Sequence, residues 1–222
     1  MHVVVNAAAS ADGKLSTRER GQVAISGPAD FDRLDRLRAA ADAVLVGVGT
    51  VLADDPHLTL DDEDRRVERL RGGRPSDPAR VVADSTARTP ADARVLDDAA
   101  TTYLLVAEAA PTERVDRLER AGAVPVVAGE ERVDLPAALD ALESRGIDRL
   151  LAEGGGELLF SLFEAGLVDE FSLYVGSVVV GGREAPTVAD GAGFVEEFVD
   201  LHLASVERLD DGVVLSYDVG AN

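Results

Sequence analysis

The chain has 222 residues, 42 acidic against 22 basic, a formal charge of −20 and 46% hydrophobic content. That length suits one α/β domain, and the hydrophobic share separates the sequence from acidic disordered segments. The charge excludes nucleic acid and anionic membranes as partners, because both would be repelled, so an anionic ligand needs a local basic site. With no cysteine and only His2, His57 and His202, the sequence offers no disulfide, no thiolate and no evident metal-binding set. Abundant carboxylate with a single lysine, Lys14, against 21 arginines reads as a halophile's cytoplasmic protein, since repulsion is screened within about 3 Å at 1 M salt.

The first strand is expected over residues 2 to 9, an apolar stretch without a basic leader. SADGKLST follows, an Asp-Gly turn that carries the lone lysine. In SGPADFDRLDRLRAAAD, Ser26 is a candidate cap, Pro28 takes an early helical position and acidic residues open the first turn, so a helix is expected to about residue 41. At about 100° per residue its apolar stripe is Phe31, Leu34, Leu37 and Ala41, with Arg38 beside Phe31 and with Arg33 and Arg36 projecting away. AVLVGVG reads as a short strand, and TVLADDPHLTL as one or two helical turns stopped by Pro56.

The charged, weakly periodic segment 61 to 77 reads as an exposed loop. ARVVADS, TTYLLVA and AVPVVAG read as strands, with helices over 112 to 122 and 136 to 146. DRLLAEGGGELLFSLFEAGLVDEFSLYVGSVVVGG repeats the order strand, glycines, helix, strand, and the last two strands turn around Asp-Asp-Gly as a hairpin. The expected architecture is a single α/β domain over 1–222, with a largely parallel central sheet, an antiparallel C-terminal hairpin and flanking helices.

Two strand exits attract attention. At the first, the strand ends at Glu153, and Gly154, Gly155 and Gly156 precede a helix. Three absent side chains let a ligand approach the backbone, and free N–H groups at the helix start suit a phosphate; a tight turn without ligand is the alternative. At the second, Thr50 sits where a helix begins and Asp54 one turn later on the same face, although ordinary capping explains Thr50 alone. Ligands of open α/β sheets lie beyond the C-terminal strand ends, so the two exits line one cleft if their strands are neighbours.

Arg38 is either an edge arginine lying along the apolar face or a fork for phosphate or carboxylate. Asp84, Ser85 and Arg88 follow a strand and suit an adenosine 2′-phosphate, although Asp-Ser-Thr is also simple turn composition. Glu153, ending a buried-looking strand, has to be paired, bound to ligand or shifted in pKa. Lys14, retained in a chain so biased against lysine, is expected to face the cleft and hydrogen-bond ligand hydroxyls or orient a carboxylate such as Asp54. A leftover lysine on a solvated turn is the alternative.

NAAASADGKLST, VLVGVGTVLADDPHLTL, VVADS, LLAEGGGELLFSLFEAGLVDEFSLYV and VVVGGREAPTVADGAG follow one another as in a known family. Over nearly its whole length the chain resembles the archaeal 2,5-diamino-6-ribosylamino-4(3H)-pyrimidinone 5′-phosphate reductases. These are similar to the reductase domain of the bacterial bifunctional riboflavin deaminase-reductase. The resemblance implies a dihydrofolate-reductase-like fold and NADPH-dependent reduction of the ribosylamino side chain to the ribityl form in riboflavin biosynthesis. The zinc-dependent deaminase chemistry is not implied, because its cysteines are absent.

The resemblance assigns cofactor contacts to Thr50, Asp54, Val82, Ala83, Asp84, Ser85, Gly154, Gly155 and Gly156, and substrate contacts to Gln22, Arg38, Leu58 and Glu153. Lys14, Asp54 and Glu153 are the expected catalytic residues, with no metal. A homodimer is implied, for which FSLYVGSVVVGG is the candidate surface. Asp61 stands where bacterial relatives carry an arginine, and Ala24 near the place of a tryptophan, so phosphate recognition is expected to rest more on Arg38. A folate or pterin reductase and a non-catalytic nucleotide-binding protein are the alternatives.

Overall fold

The computed structural model describes residues 1–220. Its strands are β1 (His2–Ser10), β2 (Ala43–Gly47), β3 (Ala79–Ala83), β4 (Thr102–Val106), β5 (Ala123–Val127), β6 (Arg149–Gly154), β7 (Glu170–Gly176), β8 (Leu201–Leu209) and β9 (Gly212–Val219). Its helices are α1 (Pro28–Ala40), α2 (Val48–Asp54), α3 (Glu63–Arg71), α4 (Thr112–Arg120), α5 (Leu135–Glu143) and α6 (Gly156–Glu164). The strands form one sheet in the order β5-β4-β3-β2-β6-β1-β7-β9-β8. The pairs β1·β7, β2·β3, β3·β4 and β4·β5 are parallel, whereas β7·β9 and β8·β9 are antiparallel. The expected α/β class, parallel sheet and C-terminal hairpin are therefore present.

The chain divides into two compact units, one of Asp35–Leu151 with Met1, the other of His2–Leu34 with the residues from Ala152 onward. In the first unit the strands read as continuous apolar runs because both faces are covered: Val44, Leu45, Val46, Val81, Val82, Leu104 and Leu105 are buried. The register pairs Gly47 with Ala83, so the exits of β2 and β3 lie side by side. In the second unit α6 buries Leu158, Leu159, Phe160, Leu162 and Phe163. Phe163 meets Phe171 edge-on at 5.5 Å, and Phe171 stacks on Tyr217 at 6.0 Å.

Several expectations need correction. Residues 61 to 77 are not simply a loop, because α3 occupies their centre. Asp62 caps it, accepting the amides of Asp64 at 2.8 Å and Arg65 at 3.3 Å. Its packed face is made of charge, which is why no apolar period shows: Arg65 reaches Asp35 at 2.6 Å and Arg66 reaches Asp77 at 3.2 Å. Arg69 is buried and donates to the carbonyls of Ala39 at 2.8 Å, Ala41 at 2.7 Å and Pro75 at 3.0 Å. Burial, with like charge on Arg74, pulls this guanidinium below the ordinary arginine range.

α1 departs from its expected stripe. Phe31 is 60% exposed while Asp30 and Asp35 are buried. Arg33, expected to project away, donates to Asp30 at 2.9 Å, Ser172 at 2.7 Å and Asn6 at 2.9 Å. Ser26 bonds the Asp30 carboxylate and is not the cap. The α1 amides of Ala29 and Asp30 are taken instead by Asp210 of the β8–β9 hairpin, each at 3.1 Å. The part of FSLYVGSVVVGG that lies in β7 is no sheet edge, since β7 pairs with β1 on one side and β9 on the other. The sheet's edges are β5 and β8, and on β8 Leu201, Leu203 and Val206 are exposed.

Candidate functional site

The first unit carries eight of the predicted site residues. β2 leads into α2, which starts at Val48 after Gly47, so Thr50 is its third residue and not its cap. Asp54 closes the same helix one turn later and is exposed. The chain leaves α2 through Asp55 and Leu58, both at positive φ, 40° and 56°. Leu58 is nevertheless 2% exposed, and the next residue, Thr59, offers its carbonyl to Arg38 at 3.0 Å. Arg38 and Leu58, two predicted substrate contacts, thus meet in one stretch of structure.

At the neighbouring exit of β3, Val82 is buried and Ala83 half-buried. Asp84 turns inward: one carboxylate oxygen accepts the Thr89 amide at 2.7 Å and the Thr89 hydroxyl at 2.8 Å. The other, Oδ1, has no hydrogen-bond partner and lies 4.0 Å from Arg88 Nε. The Ser85 hydroxyl accepts the Val133 amide at 3.0 Å. Arg88 and Arg114 are exposed, and Arg114 reaches the Thr86 carbonyl at 3.4 Å. A strand end where the carboxylate is sequestered and two guanidinium groups face water suits an anion better than a sugar diol.

The second unit carries the others. Glu153 is half-buried at the end of β6, and Gly154 and Gly155 take φ of 152° and 22°, values that side chains rarely adopt. Gly156 is bare for another reason: a Cβ there would stand 2.3 Å from the Thr187 carbonyl oxygen. One of the three glycines therefore accommodates the chain itself. The segment responsible runs from Val178 to Asp190, whose amide bonds the Gly156 carbonyl at 3.0 Å.

Lys14 is tied to that same segment. Its ammonium donates to the Ala185 carbonyl at 3.1 Å, and its backbone bridges Thr187. Asp12, two residues earlier, accepts the amides of Val180 at 3.0 Å and Gly181 at 2.7 Å, besides the Ser10 hydroxyl at 2.7 Å. These bonds, the Ser10 hydroxyl first, hold the Asp12 carboxyl at about 2. The sequence singled out Lys14 and missed Asp12, because an Asp-Gly pair reads only as a turn. Gln22 lies exposed in the irregular stretch between β1 and α1.

A further cluster escaped the sequence reading. His57 Nδ1 lies 3.2 Å from Asp97 Oδ2, and Asp97 Oδ1 accepts from Arg80 at 2.6 Å. Burial opposes ionisation of Asp97, yet Arg80 and the Ala99 amide outweigh it and lower its pKa. Among the described residues no group of three or more His, Asp or Glu side chains is placed to hold a metal ion. No described helix is long and apolar enough to cross a membrane.

A protein named 2,5-diamino-6-ribosylamino-4(3H)-pyrimidinone 5′-phosphate reductase from Archaeoglobus fulgidus is 44% identical over 215 residues, 97% of this chain and 96% of its own. One of the same name from Methanothermobacter thermautotrophicus is 44% identical over 221 residues, 98% of each chain. The fold is shared with a pyrimidine reductase-like protein from Corynebacterium diphtheriae, with a TM-score of 0.87 and 19% identity over 100% of this chain and 92% of that one. The RibD C-terminal domain model matches residues 1–215, and the chain belongs to that family.

Proposed function

We propose that this chain is an oxidoreductase of riboflavin biosynthesis that reduces 2,5-diamino-6-ribosylamino-4(3H)-pyrimidinone 5′-phosphate to its ribitylamino form with NADPH. The observation that carries the reading is the 44% identity to two archaeal reductases of that name, spanning nearly all of both chains. When bound, the nicotinamide would supply the hydride for reduction at C1 of the ribosyl group, with one proton taken up as the ribityl chain forms. We retain residues 1–222 as one reductase domain.

In the first unit we assign Thr50, Asp54, Val82, Ala83, Asp84 and Ser85 to the cofactor, and Arg38 and Leu58 to the substrate. Asp84 acts there by folding the turn through Thr89. Arg88 and Arg114 favour the phosphorylated dinucleotide, since they are exposed cations in a chain of net charge −20. In the second unit Gly154 and Gly155, which carry no side chains, are assigned to the cofactor, Gln22 and Glu153 serve the substrate, and Gly156 seats the strap of residues 178–190. Lys14 orders that strap through Ala185. Catalysis then rests chiefly on orientation, and the catalytic roles are assigned to Asp54 in the first unit and to Lys14 and Glu153 in the second.

We further propose a cytoplasmic homodimer adapted to high salt, paired through the β8 edge, whose open backbone and exposed Leu201, Leu203 and Val206 suit a second copy. Light scattering of Val206→Lys, expected to be monomeric, tests that surface. The function itself is tested by following NADPH oxidation in molar salt with the ribosylaminopyrimidine phosphate and, separately, with dihydrofolate. Turnover of the first is expected; turnover of dihydrofolate alone would replace this reading with a folate reductase.

A further inference from the structure

We propose that His57 is a positioning residue for the reduction: with Asp97 and the buried guanidinium of Arg80, it latches residues 55–60 in the backbone shape on which Leu58 and Arg38 depend. This rests on the function proposed above, in which both residues serve the substrate. The segment is strained, because Asp55 and Leu58 both hold positive φ, 40° and 56°, without being glycine. Such conformations persist only where the surroundings over-determine them, and they gather at ligand clamps.

The surroundings here are specific. Asp55 accepts the Arg94 amide at 2.8 Å, and Arg94 returns a contact to the Asp55 carbonyl at 3.4 Å. His57 meets Asp97 at 3.2 Å, and at the far end Leu60 donates its amide to Asp77 at 2.8 Å. Between these ties lies the Thr59 carbonyl that Arg38 holds. A shift of the segment would therefore carry Leu58 and the Arg38 guanidinium with it.

Arg80 shows what fixes the other half of the latch. It stands in β3 with 0% exposure, an expensive place for a guanidinium. It donates to the carbonyls of Val95 at 2.9 Å and Asp97 at 3.1 Å and to the Asp97 carboxylate at 2.6 Å, while its Nε has no partner. All the bonds of its guanidinium go to the turn around the 3-10 helix Arg94–Leu96. Asp97 thus joins a buried strand to the strained segment, one oxygen to Arg80 and the other to His57. His57 is 44% exposed, so removing its ring opens no cavity, and a loss on substitution reports geometry rather than packing.

The test compares His57→Ala with His57→Asn, whose side-chain amide nitrogen stands near the place of Nδ1 and can still donate to Asp97. For His57→Ala, KM for the ribosylaminopyrimidine phosphate is expected to rise about tenfold with kcat within about twofold of wild type. NADPH affinity by calorimetry and the melting temperature should stay unchanged, and His57→Asn should recover KM to within about threefold of wild type. A wild-type KM in His57→Ala, or an Asn variant as impaired as the Ala variant, overturns the latch and leaves the functional reading intact. Should wild-type protein fail to turn over that substrate, the functional reading falls. The latch is then judged by hydrogen exchange: faster exchange of the Arg94 and Leu60 amides in His57→Ala supports it, and unchanged exchange overturns it.

Discussion

α6 and α1 are both sequence-legible helices, yet they are held in opposite ways. α6, GELLFSLFE, packs Leu158, Leu159, Phe160, Leu162 and Phe163 as an ordinary apolar face. α1 leaves Phe31 exposed and turns Asp30, Arg33 and Asp35 inward, each matched by a partner of opposite charge or a backbone amide. The acidity of the chain is thus not only a solvated coat. Part of it is internal, where arginines and amides neutralise it, and α3 shows the same habit through Arg65, Arg66 and Arg69.

The comparison predicts where substitution hurts most. Asp35→Ala should be the costliest, because it strips a buried acceptor from Arg65 and from the amides of Asp61 and Asp62. Breaking this buried pair costs about 3–5 kcal/mol, although Asp62 at 3.8 Å remains beside Arg65, and the loss is readable by urea denaturation. A loss well under 1 kcal/mol would mean that these charges are effectively solvated, and the contrast with α6 would dissolve. Leu159→Ala, in α6, should cost about 3 kcal/mol from lost burial and the cavity left behind. Its loss should be the same at low and molar salt, unlike that of any charge-held site. Arg69→Met fills the same space but abandons three carbonyls, and a cost of about 2 kcal/mol is expected. Equal stability in the same denaturation experiment would show that water replaces the guanidinium.

These differences explain what the sequence disclosed. Strands such as AVLVG and TYLLV were legible because burial on both faces leaves uninterrupted β-branched and aliphatic runs. α6 was legible by its apolar period, and the glycines before it stood out as a run of three, of which Gly154 and Gly155 take φ of 152° and 22°. α3 was missed because a helix whose packed face is arginine carries no hydrophobic period, though Asp62 before Glu63 was an available start signal. Phe31 misled because an aromatic residue was taken to mark the buried face, whereas Asp210, distant in sequence, orients that helix by capping it. At the candidate site, Arg38 holds the carbonyl of Thr59, the residue after Leu58. His57 with Asp97, and Asp12 with Val180 and Gly181, join positions too far apart in sequence for spacing to reveal.

Asp12 supplies the mildest and most pH-specific expectation, and it extends the comparison to an exposed carboxylate. Its carboxyl titrates at about 2 against an ordinary 3.8, held down by the Ser10 hydroxyl and by the amides of Val180 and Gly181. Because the folded value is the lower one, ionised Asp12 favours the fastened strap: the contribution is complete above the ordinary value and fades as pH falls through the folded one. Asp12→Asn keeps the size but offers one accepting oxygen in place of two, so it cannot serve both Val180 and Gly181. Its melting temperature should lie slightly below wild type near neutral pH, with faster exchange of those two amides. As pH falls from about 4 towards 2, wild type loses the same interaction by protonation, and the gap in melting temperature should close. A gap that persists unchanged across that window would show that the strap does not depend on the charge of Asp12, and that exposed and buried carboxylates in this chain do not share a role.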